Sequence, residues 1–338
     1  MKAIGFRQGG SLDREDALLD LEVAKPVPGP RDLLVRVRAV SVNPVDTKVR
    51  AGAKPSGEPM ILGYDAAGVV EAAGSDVTLF APGDEVFYAG TIKRPGTNAE
   101  LHAVDERIVG RKPRSLDFAG AAALPLTGLT AWELLFDRLR VPRGGGEGQA
   151  ILIVNGAGGV GSMLVQLARQ LTGLRVIATA SRSETVAWAT QMGAHDVIDH
   201  RKPLNEELAR IGVKTVNFVA SLAASDRHLA IYPRIIAPQG SLAVIDDVKA
   251  FDIAGLRQKA ITVAWEGVFV RSIYETPDMI EQHHILGEIA RLIDEGVLHG
   301  TMTRDLGEMN AATLKEAHGL VESGAMVGKL VLRVISAG

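Results

Sequence analysis

The sequence predicts an α/β chain in two parts: a compact barrel of short strands, then a doubly wound parallel sheet. Three observations predict it. In residues 151–162, ILIVNGAGGVGS, the aliphatic run Ile151 to Val154 leads into Gly156, Gly158 and Gly161. Apolar positions at helical spacing follow (Val160, Met163, Leu164, Leu167, Leu171), so the unit reads as strand, tight turn and helix. Residues 175–245 then alternate short apolar runs with helical patterns, the signature of a parallel sheet with crossovers. Upstream, LLVRVRAVSV at 33–42 alternates Val35, Val37 and Ala39 with Arg36 and Arg38, the period of a half-buried strand.

Taken in order, Pro26, Pro28, Gly29 and Pro30 punctuate the approach to that first clear strand. Short strands follow at Gly68–Ala72 and Glu85–Tyr88, separated by turn signals such as Pro82-Gly83-Asp84 and Pro95-Gly96. From Phe118 the pattern turns helical, through Ala119–Leu124 and Thr127–Leu135, up to the loop Arg143–Gly148. Beyond the glycine turn the expected elements are strand Arg175–Ala180, helix Glu184–Met192, strand Asp196–Ile198 and helix Leu204–Ile211. Strand Thr215–Ala220, helix Arg227–Ile236 and strand Ser241–Ile245 complete the alternation. Residues 260–270, AITVAWEGVFV, read as one further strand, a candidate for pairing across a dimer. An amphipathic helix is expected over 278–295, another over 310–323, and a closing strand over Lys329–Ile335.

Composition limits the chemistry. The 338 residues are long enough for two domains. Hydrophobic content of 46% with only 4% aromatic residues implies an aliphatic core. No apolar run approaches the roughly 20 residues of a membrane span, and the amino-terminal residues lack a signal-peptide stretch, so a cytoplasmic protein is expected. The net charge of −3 is spread without basic runs, which points away from nucleic acid and towards a small-molecule partner. There is no cysteine, hence no disulfide, no thiolate nucleophile and no thiolate metal ligand, and the eight histidines show no HExxH pair.

The segments SVNPVDTKVRAG (41–52), GYDAAGVVEAAGSDV (63–77), PGDEV (82–86), AALPLTGLTAWELL (122–135), NGAGGVGS (155–162) and GKLVL (328–332), in this order, resemble the medium-chain dehydrogenase/reductases. Within that superfamily they are most similar to the zinc-free quinone oxidoreductase branch, over essentially the whole chain. The resemblance implies a GroES-like barrel domain from residues 1–125 with 300–338 and a Rossmann domain at 126–299. It also implies that substrate and nicotinamide meet in the cleft between them, and that the chain is a homodimer. In the zinc branch a cysteine stands where this chain has Asn43, and a Gly-His-Glu segment stands where it has Gly63-Tyr64-Asp65. No catalytic zinc is therefore expected.

Asn155, Gly156, Gly158, Gly159, Val160 and Gly161 are the residues expected at the cofactor diphosphate, because a phosphate must approach bare backbone N–H groups at a helix N-terminus. NAD-binding units place an acid about 20 residues further on, to accept from the ribose 2′-hydroxyl. Here the second strand ends in Ser181-Arg182, and the first acid is Glu184. A guanidinium and a small hydroxyl suit a 2′-phosphate, which points to NADP(H); the alternative is that Arg182 merely opens the next helix. By resemblance His200 stands where the branch has a phosphate-facing tyrosine, Thr127 lies near the nicotinamide, and Lys329 reaches the cofactor or flanks a strand. Thr185 replaces a phosphate-contacting lysine of that branch.

Asn43, Asp46 and Tyr64 are the candidate catalytic residues, again by resemblance. Asn43 would donate to substrate or ribose, Asp46 would orient its neighbours, and Tyr64 would donate a proton or hydrogen bond, or simply line the pocket. Trp265 and Phe269 are the candidate apolar roof over a planar acceptor, with core or dimer packing as the alternative. The reading that results is metal-free hydride transfer from NADPH to a quinone or an α,β-unsaturated carbonyl. Its alternatives are an enoyl-thioester reductase and a non-catalytic NADPH-binding sensor or crystallin-like protein.

Overall fold

A computed structural model of the chain describes residues 1–55, 57–250 and 252–334. Its strands, in chain order, are β1 (Lys2–Phe6), β2 (Leu19–Glu22), β3 (Asp32–Ser41), β4 (Met60–Ile61), β5 (Ala66–Ala73), β6 (Glu85–Tyr88), β7 (Leu101–Asp105) and β8 (Val109–Arg111). They continue with β9 (Ala150–Val154), β10 (Arg175–Thr179), β11 (Asp196–Ile198), β12 (Val216–Ser221), β13 (Ile236–Val244), β14 (Thr262–Trp265), β15 (Met302–Glu308) and β16 (Lys329–Arg333). The chain divides into two compact units, Met1–Leu126 with the chain from Phe269 on, and Thr127–Val268.

The first unit is built around β3. It pairs antiparallel with β5, β7 and β16, with Val37 opposite Gly68, Val35 opposite His102 and Val40 opposite Leu332. The alternation read from the sequence holds: Val35, Val37 and Ala39 are buried, Arg36 is half-buried and Arg38 exposed. The resulting seven-stranded sheet runs β15-β16-β3-β5-β6-β8, with β7 on β3, and a three-stranded sheet β2-β1-β4 accompanies it. Arg50, on helix Pro44–Gly52, is buried and ties the amino-terminal loop to helix Ala311–Glu322. Its guanidinium donates to Gly10 O (2.6 Å) and His318 Nδ1 (3.3 Å) and pairs with Glu322.

The second unit is a six-stranded, all-parallel sheet in the order β11-β10-β9-β12-β13-β14. Every residue of β9 is buried, which is why it reads as a continuous apolar run and not as an alternation. One face of the sheet packs Leu152, Val154, Ile177, Val219 and Leu242 against Leu204, Leu208, Tyr232 and Ile235. The strand order reverses between β9 and β12, and in such sheets ligands bind outside the strand carboxyl ends at that reversal.

Three expectations are corrected. The strand expected over 260–270 stops at Trp265, because its partner β13 ends at Val244, which pairs with Trp265. Phe269 instead precedes a short helix, Val270–Tyr274, in the first unit. The helix expected over Arg227–Ile236 is a single 3₁₀ turn, Ser225–Arg227, and a four-residue helix, Tyr232–Ile235. Pro233 has no N–H to continue a longer one. Residues 269–299, expected with the Rossmann part, belong to the first unit, where helix Glu281–Asp294 packs on β8 and the Asp294 carboxylate accepts from the backbone N–H of Ser115 at 2.9 Å. The closing strand is described to Arg333; Ile335 lies outside the described residues.

Two buried histidines couple this fold to pH. Burial pushes His102 down to about 4, and burial beside Arg50 pushes His318 down to about 3. An unfolded imidazole titrates near 6.5, so the unfolded chain takes up these protons first as the pH falls. The stability that they contribute is complete above pH 6.5 and is lost towards pH 4. His318→Gln keeps an acceptor for Arg50 and removes one titration, so its urea midpoint is expected to fall less than that of the wild type between pH 7.5 and pH 5.

Candidate active site

In the first unit, four polar side chains converge in the interior. Asn43 caps helix Pro44–Gly52, Asp46 lies in its first turn, Asp65 precedes β5, and Lys329 opens β16. Asn43, Asp46, Asp65 and Lys329 are all buried, Asp65 completely. The Lys329 ammonium donates to Asn43 Oδ1 at 2.6 Å, Val42 O at 2.9 Å and Asp65 Oδ2 at 3.2 Å. Asn43 Nδ2 also donates to Asp65 Oδ2, at 2.7 Å, while Asp65 Oδ1 accepts from the Leu126 N–H at 2.7 Å. Asp46 accepts from the backbone N–H groups of Asn43 (2.7 Å) and Gly63 (3.1 Å).

These contacts assign distinct electrostatic states. Burial raises Asp65 and lowers Lys329, each opposed by attraction to the other, and a hydrogen-bonded ion pair is the form that satisfies both. Burial pushes Asp46 up to about 7, against the pull of its two backbone donors and Lys329. Tyr64 is 3% exposed and its ring meets Phe269 edge-on, with centroids 5.3 Å apart. Burial, with Asp46 nearby, drives its phenol well above the usual range. It therefore stays protonated at neutral pH, with a hydroxyl hydrogen available for donation.

The sequence expectations fare differently in this unit. Asn43, Asp46, Tyr64 and Phe269 belong to one neighbourhood. Asn43 spends one amide hydrogen on Asp65 and retains a second. Lys329 was expected to reach the cofactor or flank a strand; its three hydrogens are all used within the buried network. Asp65 was not singled out as a site residue, although its place in the segment matched to Gly-His-Glu was the available signal.

In the second unit, the glycine turn joins β9 to helix Gly159–Leu171. Asn155 takes a left-handed conformation (φ 65°), and its N–H donates to Thr179 Oγ1 at 2.9 Å. A Cβ on Gly156 would lie 2.6 Å from that of Ala178, and one on Gly161 would lie 2.3 Å from Asn155 O, so both positions demand glycine. The N-cap, Gly158, offers no side-chain acceptor, and the first turn, which includes Gly159, Val160 and Gly161, contains no acid. The turn can thus receive an anion, and the residues present fit a dinucleotide diphosphate.

At the end of β10, Ser181 and Arg182 are half-buried, and Arg182 pairs with Glu184 at 3.2 Å. That pair is on the surface and costs little to open. Thr185 is committed to the helix cap: its hydroxyl accepts from Arg182 N–H and donates to Arg182 O. His200 Nδ1 lies 3.1 Å from Thr179 Oγ1, which places the imidazole beside the end of β10. Thr127 is buried in helix Pro125–Trp132, and Trp265 is 55% exposed on the edge strand β14.

A barrel-like unit with a buried polar cluster, joined to a parallel-sheet unit with a dinucleotide turn, defines a nicotinamide-dependent oxidoreductase. Residues 29–123 match the alcohol dehydrogenase GroES-like domain, and residues 159–284 match the zinc-binding dehydrogenase domain. A zinc-type alcohol dehydrogenase-like protein of Staphylococcus aureus is 41% identical over 340 residues, covering 99% of this chain and 100% of its own. The 2-methylene-furan-3-one reductase of Solanum lycopersicum is 39% identical over 62% of this chain and 54% of its own. Among solved structures, a candidate zinc-dependent alcohol dehydrogenase of Rhizobium etli has 55% identity and a TM-score of 0.96, covering 99% of this chain and 98% of its own. Escherichia coli quinone oxidoreductase complexed with NADPH has 26% identity and a TM-score of 0.82, covering 98% and 100%. The chain belongs to the medium-chain dehydrogenase/reductases.

The zinc in some of these names does not fit the residues here. Asn43, where the zinc branch has its cysteine, and Asp65, in the segment matched to Gly-His-Glu, already hold the Lys329 ammonium, and a dication placed on them would meet a buried positive charge. Among the described residues, no group of three His, Cys, Asp or Glu side chains is disposed to hold a metal. Among the described residues, no helix is long and apolar enough to cross a membrane.

Removing the ammonium leaves Asp65 buried and unpaired. Lys329→Met is expected to lower unfolding stability by about 3–5 kcal/mol. Adding Asp65→Asn should recover part of that loss. A double-mutant cycle in urea checks this, and additive losses would dissolve the pair.

Proposed function

We propose that this protein is a reductase that delivers hydride from NADPH to a quinone or an α,β-unsaturated carbonyl without a metal. The observation that carries this reading is the Lys329–Asn43–Asp65 network, formed by an ammonium, an amide and a carboxylate in segments where the zinc branch has its metal motif, in the same unit as the phenol of Tyr64 and its aromatic neighbour Phe269. A simple ketone becomes an alkoxide on reduction and calls for strong polarisation. An enone or quinone takes hydride at a conjugated position and spreads the charge into an enolate or phenolate, for which neutral donors suffice. The tomato furanone reductase and the E. coli quinone oxidoreductase among its relatives support that substrate class.

The reduced nicotinamide supplies the hydride when bound. The chain's own residues do the rest. The N–H groups of the turn at 156–161 hold the diphosphate, while Ser181, Arg182 and His200 hold the 2′-phosphate. Tyr64 donates to the acceptor oxygen, and the remaining Asn43 amide hydrogen donates to that oxygen or to the ribose. Asp46 fixes the backbone at Asn43 and Gly63, so the two donors are held in register. In this reading Phe269, edge-on to Tyr64, flanks the acceptor, Thr127 serves the nicotinamide, and Trp265, exposed on an edge strand, serves a dimer contact. The exposed edge of β14 supports a homodimer, and a cytoplasmic setting accords with the cysteine-free composition.

Two measurements test this. The rate of NADPH oxidation with an ortho-quinone or a small enone should survive chelation by EDTA, and Tyr64→Phe should lower kcat by about 100- to 1,000-fold, the range for losing one donor to a developing oxyanion. Tight NADPH binding with no turnover of either acceptor would overturn the enzyme reading. Arg182→Ala should raise the Kd for NADPH about tenfold or more, about 1.4 kcal/mol, and leave NADH nearly unchanged. Equal losses for the two would overturn the phosphate assignment.

A further inference from the structure

A second basic cluster stands at the carboxyl edge of the parallel sheet, on the loop after β12. Ala224 there adopts a left-handed conformation (φ 51°, ψ 36°), unfavourable for a residue with a Cβ. Such strain persists only where the surroundings over-determine it, and it gathers at ligand sites. Here the determinant is the buried Ser225. Its N–H donates to Asp246 Oδ2 at 2.9 Å and its hydroxyl bonds the same carboxylate. Ser221 Oγ lies 2.6 Å from both Ser225 Oγ and the Tyr232 hydroxyl. The 3₁₀ turn Ser225–Arg227 is thereby pinned to the ends of β12 and β13.

This rigid turn presents an exposed Arg227 and a half-buried His228, whose ring tilts over Tyr232 with centroids 6.4 Å apart. On the other side of the sheet's centre, two residues beyond β11, stands His200, tied to Thr179 at the end of β10. In the strand order, β11 and β12 flank β10 and β9, so the two loops converge from opposite sides on the strand ends that carry the dinucleotide turn.

The charges in this place are unbalanced. Burial lowers both imidazoles; Arg227 lowers both further, and His200 lowers His228, so the three groups lie within electrostatic reach of one another. Asp199 and Arg201 also act on His200, but they form a bidentate pair with each other, at 2.7 Å and 3.0 Å. Asp246 is spent on Ser225, and Asp226 is exposed beside Arg227 with no described bond to it. Among the described residues, no carboxylate forms an ion pair with Arg227. A guanidinium without a carboxylate partner, flanked by two half-buried imidazoles near the strand ends that carry the dinucleotide turn, is the complement of a phosphate.

We propose that Arg227, flanked by His200 and His228, is a specificity-determining contact for the cofactor's 2′-phosphate. The proposal rests on the NADP(H) reading above, and adds a loop that lies outside the strand-end residues Ser181 and Arg182. Arg227 approaches from the β12 side, so the phosphate is held from two directions.

The experiment is equilibrium binding of NADPH and of NADH to the wild type, Arg227→Gln and Arg227→Lys, followed by tryptophan fluorescence, with thermal melts confirming that the variants are folded. Arg227→Gln is expected to weaken NADPH about tenfold and to change NADH by less than twofold; Arg227→Lys, which restores the charge, should recover part of the loss. Equal weakening of both cofactors, or undiminished NADPH affinity, overturns the role of Arg227. If the wild type itself binds NADPH and NADH equally, the NADP(H) reading fails and this proposal falls with it. A wild type that prefers NADPH, beside an Arg227→Gln variant with the same preference, overturns only the proposal.

Discussion

The interaction on which the first unit depends is the ammonium of Lys329 among three oxygens. A buried charge is costly, and the cost is recovered only if every hydrogen finds a partner. Asn43, Val42 and Asp65 supply those partners, from stretches more than 260 residues away in sequence. The pairing settles three matters at once. It seats β16 against the end of β3, it holds the Asn43 amide by two of its atoms, and it keeps Asp65 ionised in the interior. Asp46 completes the arrangement through the backbone, so these residues are fixed by hydrogen bonds rather than by packing alone.

The second unit solves a different problem by different means. It must offer positive potential to a phosphorylated ligand without burying a lysine, and it does so with backbone. Glycines at 156 and 161 let the turn close on Ala178 and Asn155, where any side chain would collide. The helix that follows then faces the strand end with uncapped N–H groups. The basic side chains near the strand ends, Arg182, His200 and Arg227, are half-buried or exposed, where water can still reach them. One unit keeps its cation inside to organise polar groups, and the other turns bare backbone N–H groups towards its strand ends.

Much of this was legible in the sequence because it is local. The glycine turn, the strands Asp196–Ile198 and Glu85–Tyr88, and the alternation of β3 are written in neighbouring residues, and the structure reproduces them. What was not legible depends on partners distant in the chain. The run 260–270 looks like one strand, but β13 ends opposite Trp265. The stretch 227–236 has helical spacing, but Pro233 and the pinned Ser225 divide it. Read locally, Asp65 is a relic of a metal motif, and Lys329 is a cofactor contact or a strand-flanking charge. Only the pairing of β16 with β3 brings them together. Asn43 and Tyr64 are singled out through resemblance, not through any local pattern.

The division of the chain also has a consequence in time. The parallel-sheet unit is one continuous stretch, and all six of its strands have been synthesised once Trp265 has been added. The first unit is interrupted. Its opening 126 residues emerge early, yet β15, β16 and the ammonium that neutralises Asp65 follow some two hundred residues later. Domains usually fold in the order in which they leave the ribosome. Here the later stretch has its full set of strands first, while the edge of β3 stays open and a carboxylate destined for burial waits for its counter-charge. The nascent chain therefore passes through a stage in which the nucleotide-binding half is complete and the half that carries Tyr64 is not.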